Sequence, residues 1–330
     1  MLKRKPWVDL LRGICMLAIL LDHTELYYTG INVINYNVYV VNALVLFFVL
    51  SGYLMYKEDG FDIRKKIKSI FRTLLLPYFL FSLLISIPKV LFYTHTLDFI
   101  DIFQHIVLGQ ASWFIAALSF AEIIFSILIW ITHGKNYVLS TISGISFIFS
   151  IYLSTKNQPY IWQLDNSMQA LLFLSMGYLY HQYEYLFRSI SKISYLSFLA
   201  ILLIIIKIYE FTNGVNMLIW PIHINHYPMF LIDIITCSLF MLQLTKIIPI
   251  NKWTQWIVWT GRHSIVYYFL CGGIPLMISV FLEKINIHYD GNYLHVMVAL
   301  LLVYCLTTLI AWGIYQYTPC IIGKKKGAIN

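Results

Sequence analysis

Ten apolar runs of about twenty residues recur along this chain, and a helix of that length, rising about 1.5 Å per residue, matches the hydrocarbon thickness of a bilayer. The runs fall near 7–28, 38–56, 72–93, 112–132, 137–154, 168–183, 190–211, 217–243, 255–282 and 293–317. With 60% hydrophobic and only 12% charged residues, 330 residues cannot hide that apolar surface inside a soluble globule. The expected fold is therefore all-α: a polytopic integral membrane bundle of about ten transmembrane helices, forming a single domain over residues 1–330. The formal charge of +8 does not point to nucleic acid, because the basic residues sit between the apolar runs and no run carries a basic stripe.

Lys and Arg orient such a bundle, since they gather in cytoplasmic connections. Ten spans put both termini on one side. With that side cytoplasmic, it receives Lys3, Arg4 and Lys5; Lys57, Arg64, Lys65, Lys66, Lys68 and Arg72; Lys135; Arg188 and Lys192; Lys246 and Lys252; and Lys324 to Lys326. Only Lys156 and Lys284 fall clearly outside. The expected location is the cytoplasmic (inner) membrane, multi-pass, with lipid as a partner. The sixth run is the shortest and carries Gly177, and losing it would reverse every later segment. Residues 57–71 are too charged to span, and Ile63, Ile67, Ile70 and Phe71 recur opposite the lysines, which predicts an amphipathic helix at the interface. The N-terminus has the basic start of a secretory signal but no small-residue cleavage site, so it is expected to remain as the first helix. The five cysteines lack metal-ligand or redox spacing and read as small hydrophobes.

Ionisable groups inside apolar runs are the candidates for chemistry. Asp9 and Arg12 are three apart on one helix face, close enough to pair, and Arg12 could hold a phosphate or carboxylate. His23 lies roughly 16 Å beyond Arg12 and returns to within about 20° of its face. An imidazole there can deprotonate a hydroxyl; the plainer reading is a polar face packed on a neighbouring helix. Glu122, near the middle of the fourth run, either orients His23, pairs with Arg262 or serves structure alone. Asp233 in the eighth run is similar. His223 and His226 flank prolines and read as helix-start residues. No metal site is expected. Ser189 and Lys192 make an SxxK match that reads as chance.

Several motifs now fall into order. Asp9, Arg12 and Gly13 precede His23; FFVLSGYL contains Phe47, Phe48, Ser51 and Gly52; RTLLLPY contains Arg72, Pro77 and Tyr78; WFIAAL contains Trp113, Phe114 and Leu118; TGRHSIVYYFL contains Gly261, Ser264 and Tyr268. This order resembles the acyltransferase 3 family of integral-membrane O-acyltransferases over roughly residues 7–280. Two positions depart from the family pattern. Ser69 stands where the first Arg of a pair is usual, leaving Lys68 as the nearest cation, and Cys271 stands where a His is often found.

The resemblance implies an acyl-CoA donor, usually acetyl-coenzyme A, reached from the cytoplasm, and a hydroxyl of a cell-surface or exported polysaccharide as acceptor. In that scheme His23 is the general base, with Glu122 orienting or polarising it. Arg12, Lys68, Arg72, Ser51 and Trp113 border the donor, and Asp9 and Gly52 give structural support. Ser51 and Gly52 also admit a purely packing role, and Trp113 that of an interfacial aromatic. Polysaccharide-synthesis machinery is an expected partner. A rival reading is a polysaccharide or glycolipid exporter or flippase, for which a polar set inside a bundle is equally suited.

Overall fold

A computed structural model describes residues 5–93, 99–189 and 192–324; side chains at 86–93, 99, 187–189 and 192 are outside the description. Lys3, Arg4, Lys325, Lys326 and the side chains of Lys89, Arg188, Ser189 and Lys192 therefore lie outside the described residues. The elements in chain order are α1 (Pro6–Thr29), α2 (Tyr36–Met55), α3 (Ile63–Ile70), a π-turn (Phe71–Leu75), α4 (Leu76–Tyr93), α5 (Phe99–Val107), α6 (Trp113–Thr132), α7 (Asn136–Ser154) and α8 (Leu164–Gln182). There follow α9 (Lys192–Thr212), β1 (Met217–Leu218), β2 (His223–Ile224), α10 (Tyr227–Ile247), α11 (Gln255–Arg262), α12 (Ser264–Leu270), α13 (Gly273–Lys284) and α14 (Tyr293–Tyr317). The protein is all-α apart from the two-residue antiparallel pairing of β1 with β2.

Among the described residues, seven helices are long and apolar enough to cross a membrane, or eight if the α12–α13 pair, bent by 49°, is one broken span. The expected helices α1 and α8 are long enough but too polar to meet that measure. α1 carries Asp9, Arg12, Asp22 and Glu25, and α8 carries Asp165, Asn166 and Gln169.

Three expected boundaries are corrected. The run at 217–243 does not begin as helix: residues 217–224 form the β1–β2 hairpin, and α10 starts at Tyr227 with Pro228 in its first turn and the His226 Nδ1 accepting from the Met229 amide at 3.1 Å. The run at 255–282 breaks into α11, α12 and α13, the second break falling at Cys271 and Gly272. The run at 72–93 does not open its helix at Arg72, because the basic stretch supplies the first turns as α3. Asp62 caps α3 by accepting from the Lys65 amide at 3.0 Å, and the helix runs through the π-turn into α4. The amphipathic α5 lies in a stretch where the sequence had shown no element.

The chain forms two compact units. One comprises Met1–Phe47, Leu186–Ile219 and His223–Gly313; the other comprises Phe48–Tyr185, Trp220–Ile222 and Ile314–Asn330. Each holds one crossing in which two glycines bring backbones together. In the first, a Cβ on Gly13 of α1 would land on the carbonyl oxygen of Ile257 in α11, and a Cβ on Gly261 of α11 would land on that of Asp9. In the second, Gly52 of α2 lies against the Leu174 carbonyl of α8, and Gly177 against that of Val49. Small residues permit this approach where lipid supplies no hydrophobic drive for helices to associate. The sixth run, the least certain from sequence, is thus one partner of a crossing, and its glycine is the reason.

Gly13→Ala and Gly261→Ala should each destabilise the protein by about 2 kcal/mol or more, because the added methyl meets backbone that cannot yield. Gly144→Ala, at a position in α7 with open space around it, should be neutral or stabilise by about 0.5–1 kcal/mol. Unfolding midpoints of the detergent-solubilised variants check both.

Candidate active site

In the unit containing α1, the Gly13–Gly261 crossing sets Asp9 beside Arg262, whose Nε donates to Asp9 Oδ2 at 3.4 Å. Arg12, one turn on, is half-buried. Further along, Asp22 and Glu25 are both buried and hold the α1–α2 connection. Asn32 donates to Asp22 Oδ1 at 2.9 Å, the Ile34 amide donates to Glu25 Oε2 at 3.1 Å, and the Tyr293 hydroxyl of α14 donates to Glu25 Oε1. Between these anchors stands His23, half-buried, its ring lying nearly parallel to that of Tyr27 with centroids 6.3 Å apart. The helix that carries the candidate base is therefore fastened at both ends.

The late span of the same unit uses its other titratable groups for packing. His263 Nδ1 lies 2.6 Å from the Trp259 carbonyl and its ring packs on that indole, closing the α11–α12 break. Cys271, at the place where a His is often found in the family pattern, is buried, and its thiol donates to the Tyr268 carbonyl at 2.9 Å.

A second charged centre in this unit was legible in sequence only through Asp233; its partners Lys207 and Glu210 were missed. Lys207 of α9 donates to Glu210 Oε2 and Asp233 Oδ2, both at 2.9 Å, and to the Asn37 carbonyl at 2.8 Å, which uses all three of its protons. Asn42 of α2 donates to the same Asp233 oxygen at 2.8 Å. The signal was a Lys and a Glu three apart in one apolar run and an Asp in the next.

In the other unit, Glu122 of α6 is only 5% exposed and pairs with Lys66 of α3 at 2.7 Å. Arg262, the cation offered from sequence, is instead the partner of Asp9. Ser51 is buried beside the Gly52 contact. Lys68 and Arg72 are exposed and do not join the Lys66–Glu122 pair. Lys68 lines a shallow groove of about 620 Å³ with Ile63, Arg64, Ile67 and Phe71. Arg72 packs its backbone against Gly323. Trp113, at the start of α6, stacks on Trp220 with centroids 5.9 Å apart and rings 7° from parallel. Tyr78, buried in α4, donates to the Ile106 carbonyl of α5 at 2.9 Å.

The polar column on a membrane helix, the late Gly-Arg-His-Ser turn and the aromatic start of α6 now have a common frame. Residues 5–316 match the family profile described as an acyltransferase domain, of the acyltransferase 3 type. The chain belongs to this family. No curated protein and no solved structure matches it. It is a multi-pass membrane acyltransferase.

For this acyltransferase the Lys66–Glu122 pair has a measurable signature. Removing one charge leaves the other buried, so Lys66→Met should cost about 3 kcal/mol or more. Adding Glu122→Leu to that variant should recover most of the loss, because an apolar pair of similar size needs no counter-charge. Thermal unfolding of the two variants in the same detergent checks this.

Proposed function

We propose that the protein transfers an acyl group, acetyl by preference, from cytoplasmic acyl-CoA to a hydroxyl of a cell-surface or exported polysaccharide, with His23 as general base. The observation that carries the reading is the setting of His23. It is a half-buried imidazole on a helix whose acidic groups on either side are committed to Arg262, Asn32, the Ile34 amide and Tyr293. A fixed base of this kind suits proton abstraction from an alcohol.

In the proposed step His23 removes the hydroxyl proton while that oxygen bonds to the thioester carbonyl carbon. The carbon–sulfur bond then breaks, and the imidazolium returns its proton to the departing thiolate. Glu122 is the second candidate catalytic residue of this reading, with its charge set by Lys66. Arg64, Lys68 and Arg72, exposed on one helix, attract the phosphates of coenzyme A. Arg12, Ser51 and Trp113 are the further candidate donor contacts of this reading, with Asp9 and Gly52 as structural support.

The same reading places the chain in the cytoplasmic membrane as one domain of ten spans with both termini in the cytoplasm. Seven apolar helices and the bent α12–α13 pair supply eight of these, and the more polar α1 and α8 supply the remaining two. Polysaccharide-synthesis machinery would hand over the acceptor.

His23→Ala should insert and bind acetyl-CoA as the parent does, yet lose at least about 100-fold in transfer rate, the usual contribution of a positioned base. Acyl content of surface polysaccharide, together with thermal stabilisation by acetyl-CoA, checks the two halves. Undiminished transfer by this variant, or glycolipid movement without any response to acetyl-CoA, would favour the exporter reading.

A further inference from the structure

The Lys207 centre does not balance its charges. One ammonium faces two carboxylates, Glu210 of α9 and Asp233 of α10. Among the described residues, the groups that face it from neighbouring elements are Asn37 and Asn42 of α2, Cys237 of α10 and, beyond that thiol, Cys15 of α1. Amides are neutral and thiols ordinarily ionise well above neutral pH, so these groups add no second cation. The excess is one negative charge. It lies between two apolar, membrane-length helices, with Asp233 at 0% and Glu210 at 4% exposure. An unbalanced charge in such a place is strongly unfavourable.

The hydrogen bonds show where the imbalance sits. Each carboxylate gives one oxygen to Lys207 at 2.9 Å, and that oxygen of Asp233 also accepts from Asn42 at 2.8 Å. The third ammonium proton goes to the Asn37 carbonyl. Glu210 Oε1 and Asp233 Oδ1 remain, one free oxygen on each acid, both buried and without a hydrogen-bond partner. Because both acids touch one ammonium, their bonded oxygens lie no further apart than twice that contact. Two free oxygens fall well short of the roughly six to eight that a hard cation such as calcium takes. A proton needs only one, and two carboxylates sharing a site do not readily ionise together.

We propose that this centre is a proton-binding site, in which Glu210 Oε1 or Asp233 Oδ1 holds one proton and Lys207 faces one charged and one neutral carboxyl. The proton arrives from hydronium and leaves to a base in water, while Lys207 keeps its own three throughout. The centre has a route to the outside: the Lys207 side chain is 23% exposed and borders a cleft of about 470 Å³ with Asn42, Cys237, Ile204 and Phe211. With the proton bound, the contact of α2, α9 and α10 is neutral and tight. Without it, the contact carries one uncompensated negative charge, so pH sets how firmly these three helices hold together.

The test uses the full-length protein in lipid nanodiscs, with infrared difference spectra and thermal unfolding recorded from acidic to alkaline pH at constant ionic strength. Glu210→Gln and Asp233→Asn each leave Lys207 with one carboxylate, so each should fold and should lose one protonated-carboxyl band that the parent shows. The folded parent holds a proton that the unfolded chain has released, so its stability falls as pH rises through the titration of the centre. Glu210→Gln should therefore match the parent at low pH and exceed its unfolding midpoint at high pH. The double variant Glu210→Gln/Asp233→Asn strands the ammonium and should unfold at a lower temperature than either single variant at every pH. Carboxyl bands unchanged in both single variants overturn the site, as does a double variant as stable as the single ones. Single variants that fail to fold at any pH also overturn it, because the neutralised centre is then not the stable one. A parent midpoint that changes when Na⁺ replaces K⁺ at constant pH places a metal ion at these oxygens and overturns the proton.

Discussion

Backbone-to-backbone contact at paired glycines is the constraint on which the rest of this protein depends. In hydrocarbon, apolar side chains gain little by leaving lipid for another helix, so association relies on close packing and polar contacts. At the Gly13–Gly261 crossing the approach does more than join α1 to α11. It brings Asp9 within reach of Arg262, and with it fixes the N-terminal half of the helix that carries His23. At the Gly52–Gly177 crossing the same geometry joins α2 to α8 and buries Ser51 nearby. Reciprocity matters in both: each glycine makes room for a carbonyl on the helix of the other.

Charge inside the bundle is handled by pairing between elements. Asp9 meets Arg262, Glu122 meets Lys66, and Lys207 meets Glu210 and Asp233 together. A buried pair contributes little to net stability when weighed against an apolar replacement, but a lone member is strongly unfavourable. These pairs therefore act as registers, each making one arrangement of two or three helices much better than its neighbours. The acidic end of α1 works differently, since Asp22 and Glu25 are satisfied by neutral donors from the following connection and from α14.

Much of this was written in the sequence at the level of spans and motifs. The apolar runs marked most of the helices, and the order of Asp9-Arg12-Gly13-His23, Ser51-Gly52, Trp113-Phe114 and Gly261 pointed to the family that residues 5–316 match. What escaped was long-range or depended on turn chemistry. The sequence offers His23 or Arg262 beside Glu122, because nothing local links Lys66, 56 residues earlier, to the fourth run. Only when α3 continues into α4 alongside α6 does that ammonium come within 2.7 Å. The β1–β2 hairpin hid inside an apolar run because hydropathy carries no sign of chain direction. The stacking of Trp220 on Trp113, 107 residues apart in sequence, had no local signal at all.

The π-turn at Phe71–Leu75 accommodates one residue more than a regular helix would. An α-helix advances about 100° per residue, so tightening that turn to regular α-helix with every residue kept would swing all of α3 by about that angle relative to α4. Lys66 would leave Glu122, and the exposed cations Arg64 and Lys68 would face a different quarter of the molecule. The wide turn thus acts as a phase setting between the charged half and the apolar half of one continuous rod.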